Sequence, residues 1–559
     1  MSDSRHNGAY VHEALVAEGF KPIEARPGDY WYEGLFEAHG RSIACEIWVR
    51  DTDFLRLPKL KILDPSLMAH SVAHFEDSGF YCYTNLENQI IEKYDPRGAI
   101  RTILDMMKAA IADHFKAEIS EDISREFLQH WFPSLIYHAE LVGSGDRIGV
   151  LRPITLGSGD GFALIDHNRK RTCFGALKAQ AKRAPKIEVP VIAYSGDLTF
   201  PNGYRQPENL KECCEWLNAL TPGLGDRVIG SFDVKAKEQR LWVAIEAENL
   251  TIGIEIVPTL TLNRIVRDVI SKQLIDRIGQ SIKVNRIGFI QGSREDMFGR
   301  NLGSETSNLS GKHIALIGLG TIGSHLAKLI VQSGGGFGDG HIVLIDNDEL
   351  KLQNLGRHFL GQNCIGMNKA KACESELLRQ FPEASIKAVP SDATELLDQL
   401  GDFDLIIDAT GEEAVSVIVN EWLVDTQKNK PTLTGLFVWL YGNAEAAQTL
   451  LVEADNGACY RCLKPKHGGL WRYEPRRAPK EMSVDPGGCG DTAFIPYGVG
   501  GSVIAAGLAS NLALAWANGV PAPKLRTIGI DQERTRTIKP VNPAAHKDCK
   551  ACDRAVQLD

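Results

Sequence analysis

The sequence predicts an α/β protein: a C-terminal doubly wound parallel sheet, preceded by an α+β domain and a strand-rich domain. Three patterns predict it. From about residue 309, apolar runs alternate with helix-length segments, in the order HIALIGLG, helix, HIVLIDND, helix, SIKAVP, helix, FDLIIDATG, as βαβ units do. Residues 140–300 carry short apolar runs between Gly/Pro turns, such as VPVIAYSG, RLWVAIEA and IGIEIV. The first 135 residues read as helix, meander, cysteine-bearing loop and helix. The expected domains are therefore 1–138, 139–300 and 301–559.

Taken in order, residues 7–19 form a short helix, and YWYEGLFEAHGRSIACEIWVR (30–50) alternates aromatic and aliphatic positions around a turn near Gly40, as a hairpin does. After Asp95-Pro96, RGAIRTILDMMKAAIADHF sets Ile100, Ile103, Leu104, Met107 and Ile111 on one helix face. The middle third offers no chemical motif. Near the C-terminus, TAFIPYGVGGSVIAAGLASNLALAWANGV (492–520) has no charge and is long enough to span a bilayer. It is rich in Gly, Ala, Ser and Asn and lacks a close basic flank, so a helix buried on all sides, for instance at a subunit interface, is expected instead.

At 559 residues the chain exceeds what one core can hold. Its 62 basic and 71 acidic residues show no bias towards nucleic acid. The N-terminus, MSDSRHNGAY, lacks the apolar core of a signal peptide, so a cytoplasmic protein, off the membrane and off nucleic acid, is expected. Twelve cysteines in so long a chain are core, ligand or nucleophile rather than a disulfide framework.

The strand ending at Ile317 runs into Gly318-Leu319-Gly320-Thr321-Ile322-Gly323 and then a helix. Such a turn aims free N–H groups at a phosphate, but the glycines serve a dinucleotide and ATP equally. So does Asp346, about twenty residues further on, where a carboxylate holds a ribose. The next stretch discriminates. LQNLGRHFLGQNCIGMNKAKAC (352–373) brings Asn354, Arg357 and Lys369 within sixteen residues, which suits a triphosphate and the charge that builds on its α-phosphorus. Asp408, closing LIIDATG, ends a strand where a carboxylate can hold Mg²⁺. The competing reading is an NAD-dependent oxidoreductase in which Arg357 and Lys369 are solvated loop charges.

Gly318-x-Gly320-x-x-Gly323, Asp346, Asn354-x-x-Arg357, Gly366-x-x-Lys369 and Asp408-Ala-Thr, in this order, resemble the adenylation domain of the ubiquitin-activating superfamily (ThiF/MoeB-type) over about residues 305–555. That superfamily includes the sulfur-carrier adenylyltransferases of molybdopterin and thiamine synthesis. The resemblance implies a Rossmann-like fold and a homodimer, with Asp346 on the ribose, Arg357 and Lys369 on the phosphates and Asp408 on Mg²⁺. In the superfamily the arginine often comes from the partner subunit. His358 departs from a pattern that commonly carries Gln, with little consequence expected.

Cys459-x-x-Cys462 and Cys549-x-x-Cys552 can supply four thiolates to a closed tetrahedral Zn²⁺ site. The 86 residues between the pairs, 463–548, exceed an ordinary zinc ribbon, so the metal would staple the chain's end to the domain. The superfamily often carries such a pair; free or redox-active thiols are the alternative. Between them SVDPGGCGDTAFIPYG sets Cys489 in a glycine-rich loop, which suits a nucleophile that approaches an acyl-adenylate. A structural loop thiol is the alternative there.

HFEDSGFYCYTNL (74–86) resembles the active-site loop of ubiquitin-conjugating enzymes, with Cys82 after a turn and two aromatic residues. Those enzymes carry His-Pro-Asn upstream, the Asn eight residues before the cysteine; here that position is His74, without Pro or Asn beside it. An imidazole N–H can donate to an oxyanion, or His74 can be structural; His70 is a weaker candidate, and Cys45, inside SIACEIWV, reads as core. Fusion of a conjugating and an activating domain raises the local concentration of acceptor and donor.

Over most of its length the chain resembles the bacterial fusions of such domains in anti-phage CBASS operons, the middle domain matching by position and size only. That resemblance implies a mechanism: a protein's C-terminal carboxylate becomes an acyl-adenylate, then a thioester on Cys489, passes to Cys82 and ends on a target lysine. The implied modifier is a CD-NTase, with a ubiquitin-like protein as the other option. Another alternative is a sulfur-carrier or ubiquitin-like adenylyltransferase whose N-terminal domain is a non-catalytic binding module.

Overall fold

The computed structural model describes all residues except 1–2, 24–29, 39, 55, 65–74, 76–78, 85–90, 93, 115–123, 125–126, 132, 142, 157–158, 167–186, 202–203, 233–240, 257–271, 293–297, 299–307, 456, 467–468, 478–494, 521–522 and 553–559. The chain divides into two compact units, Met1–Lys170 with Leu177–Gln291, and Gly292–Asp559 with Arg171–Ala176.

The first unit contains two sheets. Strands β1 (Lys21–Ile23), β2 (Tyr30–Ala38), β3 (Arg41–Val49), β4 (Lys59–Ile62) and β5 (Phe80–Tyr81) form an antiparallel meander in chain order. Period-two burial in β3 turns Ile43, Cys45, Ile47 and Val49 inwards. They meet α1 (Asp3–Ala17) and α2 (Pro96–His114), and Ile100, Ile103, Leu104, Met107 and Ile111 form the buried stripe of α2. The expected hairpin is β2 and β3, its turn held by Gly40 at φ 72°. Cys45 is core, as its place in an apolar strand implied.

The second sheet closes into a barrel in the order β10-β11-β12-β6-β8-β7-β9. Its strands are β6 (Leu135–Glu140), β7 (Arg147–Leu156), β8 (Gly159–Asp166), β9 (Ile187–Ala193), β10 (Leu241–Glu246), β11 (Thr251–Ile256) and β12 (Val284–Gln291). Closure removes exposed edges. The lumen is packed by Leu151, Leu164, Val191, Trp242 and Phe289. Outside it, α3 (Phe127–Trp131), α4 (Leu210–Leu220), α5 (Leu224–Gly230) and α6 (Lys272–Ile278) bury a second core around Trp131 and Trp216. Because β6 pairs with β12 and β8, the barrel begins at Leu135.

The second unit is a seven-stranded sheet in the order β15-β14-β13-β16-β17-β18-β19. It comprises β13 (His313–Ile317), β14 (His341–Ile345), β15 (Ile386–Val389), β16 (Leu405–Asp408), β17 (Thr434–Tyr441), β18 (Ala446–Val452) and β19 (Leu525–Gly529). The first five strands in sequence run parallel, and β18 pairs antiparallel with both β17 and β19. Both faces are covered, hence the near-continuous apolar runs. Ile314 and Leu316 face α7 (Thr321–Gln332), α8 (Lys369–Gln380) and α10 (Val499–Ala517), whereas Ala315 and Ile317 face the core with α9 (Glu413–Gln427).

Helix α10 is the uncharged segment. Ala505, Ala506, Ala509, Leu512 and Ala513 bury it in that core. It is long and apolar enough to cross a membrane, and half of that span is buried inside the protein. It is not buried on all sides within one chain: Val499 and Val503 remain 41% and 44% exposed.

Candidate functional site

The strand order reverses between β14 and β16 on either side of β13, and at such a switch point the carboxyl ends of the strands open a crevice. The glycine turn lies there. Gly318 has φ 84°, and a Cβ on it would sit 2.8 Å from the Thr410 Cα. A Cβ on Gly323 would lie 1.7 Å from the Gly318 carbonyl oxygen, so no other residue lets α7 start this close to the strand. Gly320 is the N-cap of α7 with open space beside it, and no side chain caps the helix. Its first N–H groups and the positive end of its dipole make an anion site.

Asp346 follows β14. Its Oδ2 accepts from the Leu319 N–H at 2.6 Å and its Oδ1 from the Asp348 N–H at 2.8 Å, fixing the carboxylate against the glycine turn. Burial pushes this carboxyl above the usual carboxylate range, opposed by the nearby Lys369 ammonium and the two N–H bonds. Lys369, only 9% exposed at the first position of α8, donates to Asp348 Oδ2 at 2.8 Å. Asn368, not singled out from sequence, caps α8 through the Lys371 N–H and donates to the Asp346 and Asp348 carbonyls. An Asn directly before a periodic segment was the available signal.

Asn354 closes a 3₁₀ turn by accepting from the Lys351 N–H at 2.9 Å. Three residues beyond that turn, the Arg357 guanidinium carbon lies over the Tyr497 ring, 4.3 Å from its centroid, and the guanidinium donates to the Ile495 carbonyl at 3.0 Å. His325 of α7 holds the Arg357 carbonyl at 3.1 Å. Asp408, at 2% exposure, ends β16 opposite Ile317. Its Oδ1 accepts from the Thr410 N–H and hydroxyl at 3.0 and 2.7 Å. Its Oδ2 is buried without a hydrogen bond of good geometry, although the Ser416 hydroxyl adds a weaker attraction. Burial dominates and raises this carboxyl above its ordinary range. A buried carboxylate oxygen so weakly supplied with donors is a fitting ligand for a divalent cation.

The structure thus gathers Gly318, Gly320, Gly323, Asp346, Lys369, Arg357 and Asp408 around one crevice end. Cys489 and His74, like His70, lie outside the described residues.

Cys82 directly follows β5 and is exposed, its thiol 3.3 Å from the Thr84 carbonyl. Tyrosines anchor it on both sides. Tyr81 OH bonds the Ala110 carbonyl at 3.2 Å and His114 Nδ1 at 3.3 Å in α2, and Tyr83 OH donates to the Pro58 carbonyl at 2.6 Å. Burial raises the Tyr83 phenol, which keeps it a donor.

The four knuckle cysteines converge. Their Sγ atoms lie within 4.8 Å of one another, all four residues buried. Cys459–Cys462, Cys459–Cys549 and Cys462–Cys552 separations are 3.7, 3.8 and 3.4 Å. Tetrahedral Zn²⁺ with ordinary Zn–S bonds needs ~3.8 Å between sulfurs, so the donor set fits. The His546 N–H points at Cys462 Sγ at 3.3 Å and Asn420 Nδ2 at Cys459 Sγ at 3.6 Å, the outer donors that thiolate sites use.

Residues 296–551 match the ThiF family. The chain is 29% identical over 98% of its own length, and 98% of the relative's, to the ATP-dependent ubiquitin transferase-like protein Cap2 of Pseudomonas aeruginosa. It is 30% identical to the Vibrio cholerae Cap2 over 55% of this chain and 54% of that one. Among solved structures, E. coli MccB with MccA-N7isoASN aligns at TM-score 0.34 and 21% identity, covering 44% of this chain and 68% of that one.

Proposed function

For a chain that carries a ThiF-family domain at residues 296–551, we propose ATP-dependent activation of a protein's C-terminal carboxylate, followed by thioester transfer and conjugation to an amine. The triphosphate takes the N-terminus of α7, with Arg357 and Lys369 offsetting the charge that builds as the carboxylate attacks the α-phosphorus. Asp346 takes the ribose hydroxyls, beside the Leu319 N–H. Mg²⁺ suits the vacant lone pairs of Asp408 Oδ2, where it would neutralise phosphate charge. Zn²⁺ suits the four buried thiols and would be structural.

The acyl-adenylate then loses AMP to the Cys489 thiolate, the acyl group moves to Cys82, and a target lysine amine displaces the Cys82 sulfur to give an amide. Each thioester exchange breaks one C–S bond and forms another, so adenylation supplies the driving force. The exposed thiol of Cys82, between two anchored tyrosines, supports an acceptor role in a ubiquitin-conjugating-like domain at 1–138. His74 is the candidate oxyanion donor. The intervening domain, 139–300, is a linker. A homodimer is supported by the exposed pair Val499 and Val503 on α10, which carries no charge. The modifier in this reading is a CD-NTase, within cytoplasmic anti-phage CBASS immunity, a role in keeping with the near full-length similarity to Cap2.

The observation that carries the reading is the convergence of Asp346, Lys369 and a buried, donor-poor Asp408 on a glycine turn that opens an uncapped helix. The test mixes the chain with ATP·Mg²⁺ and a CD-NTase, then resolves products with and without reductant. Reductant-labile adducts on both Cys489 and Cys82 are expected. If Cys82→Ala leaves the final product intact, the N-terminal domain is a binding module and the chain a simpler adenylyltransferase.

A further inference from the structure

Three elements meet at the phosphate end of the crevice: the start of α7, the loop bearing Arg357, and the segment leading into α10. The third is fixed to the fold by Asn443 Nδ2, which donates to the Pro496 carbonyl at 2.8 Å. From it, Tyr497 touches both of the others. Its hydroxyl lies 2.8 Å from the hydroxyl of Thr321, the first residue of α7. Its ring supports the Arg357 guanidinium at 4.3 Å, and the adjacent Ile495 carbonyl accepts from Arg357 Nη1 at 3.0 Å.

We propose that Tyr497 is a positioning residue for the nucleotide site, holding the Arg357 guanidinium against the N-terminus of α7 before the triphosphate arrives. The proposal rests on the adenylation reading and deepens it. An unsupported arginine loses much side-chain freedom on meeting a phosphate, and that entropy opposes binding. Stacking engages the flat face of the guanidinium and not its N–H edge, so an aromatic ring can fix the cation without competing with a phosphate for its donors. The backbone of Arg357 is already tied to α7 through His325, at 3.1 Å from the Arg357 carbonyl. Tyr497 adds the tie at the charged end. Two restraints on one residue, one at the carbonyl and one at the guanidinium, both referred to α7, set where its charge stands relative to the helix N–H groups.

The experiment measures ATP and AMP binding to the full chain in Mg²⁺ by calorimetry. Tyr497→Ala, which removes both ring and hydroxyl, is expected to weaken ATP about tenfold. AMP, which lacks the β- and γ-phosphates, should change by less than about twofold. Tyr497→Leu keeps the volume without the π face and should match Tyr497→Ala, which covers a failure of the alanine variant to fold. Tyr497→Phe retains the stack and should stay within about threefold of wild type. In an Arg357→Ala background, Tyr497→Leu should add nothing, because the tyrosine acts through the arginine. Equal losses for ATP and AMP, or a full additional loss on top of Arg357→Ala, overturn the proposal, since a merely structural Tyr497 predicts both. Absence of ATP binding by wild type is a different result and removes the adenylation reading itself.

Discussion

His358 donates its Nε2 proton to the Leu319 carbonyl at 2.7 Å, while its Nδ1 accepts from the Leu360 N–H at 3.1 Å. The Leu360 N–H can only donate, so the neutral tautomer with hydrogen on Nε2 is fixed. One buried ring thereby ties the Arg357 loop to the glycine turn. His358→Gln supplies both a donor and an acceptor and should fold within about 1 kcal/mol of wild type. His358→Ala leaves two buried polar groups without partners and should lose about 1–3 kcal/mol in denaturant unfolding.

The same histidine gives a pH dependence. Burial lowers it from 6.5 to about 4, opposed by the hydrogen bond to the Leu319 carbonyl and helped to a smaller extent by the nearby Lys369 charge. The folded state therefore favours the neutral ring, and an unfolded chain protonates it first. Its contribution is intact above pH 6.5 and is lost as pH falls from 6.5 towards about 4. Wild type should lose on the order of 2–3 kcal/mol more than His358→Gln across that window. Parallel acid-unfolding curves for the two proteins would contradict the assignment.

Asp408→Asn keeps an oxygen for the Thr410 N–H and hydroxyl but removes the charge behind Oδ2. The variant should keep its melting temperature or gain slightly, because a buried carboxylate is costly. Pyrophosphate exchange should fall about 10²–10³-fold. A stability loss with unchanged exchange would make Asp408 a purely structural carboxylate.

Cys549 and Cys552 lie beyond β19, where Leu525 and Val541 exchange backbone hydrogen bonds. A metal shared with Cys459 and Cys462 makes this end part of the domain. One Zn²⁺ per chain is expected by elemental analysis. Cys549→Ser with Cys552→Ser should abolish it and lower the melting temperature of the ThiF-family domain by several degrees. A full complement of zinc in that double variant would rule the cluster out as its ligand set.

Much of this was readable beforehand. The parallel sheet announced itself because β13 and β16 are buried on both faces and show as runs of Ile, Leu and Ala. Paired Cys-x-x-Cys knuckles are a spacing, and spacing survives in sequence. Other features were not legible. Tyr81 and Tyr83 anchor Cys82 through Ala110, His114 and Pro58, contacts that join residues far apart in the chain. Tyr497 meets Thr321 from 176 positions away, and no local pattern records that. In sequence His358 stands out only as a departure from Gln, and the fold shows why it is slight: a Gln and a neutral His can make the same two hydrogen bonds. Its burial, and the pH dependence that follows, come only with the fold. In α10 the absence of charge suggested burial on every side, yet small residues allow one face to pack tightly while Val499 and Val503 stay exposed.

The central claim is that the crevice activates a carboxylate with ATP, and isotope exchange reads this directly. Labelled pyrophosphate should enter ATP when a CD-NTase with its native C-terminus is present. It should not do so with the same protein lacking its last residues, or with Asp346→Ala. Exchange that proceeds equally without any carboxyl partner, or that never appears with one, would contradict the account.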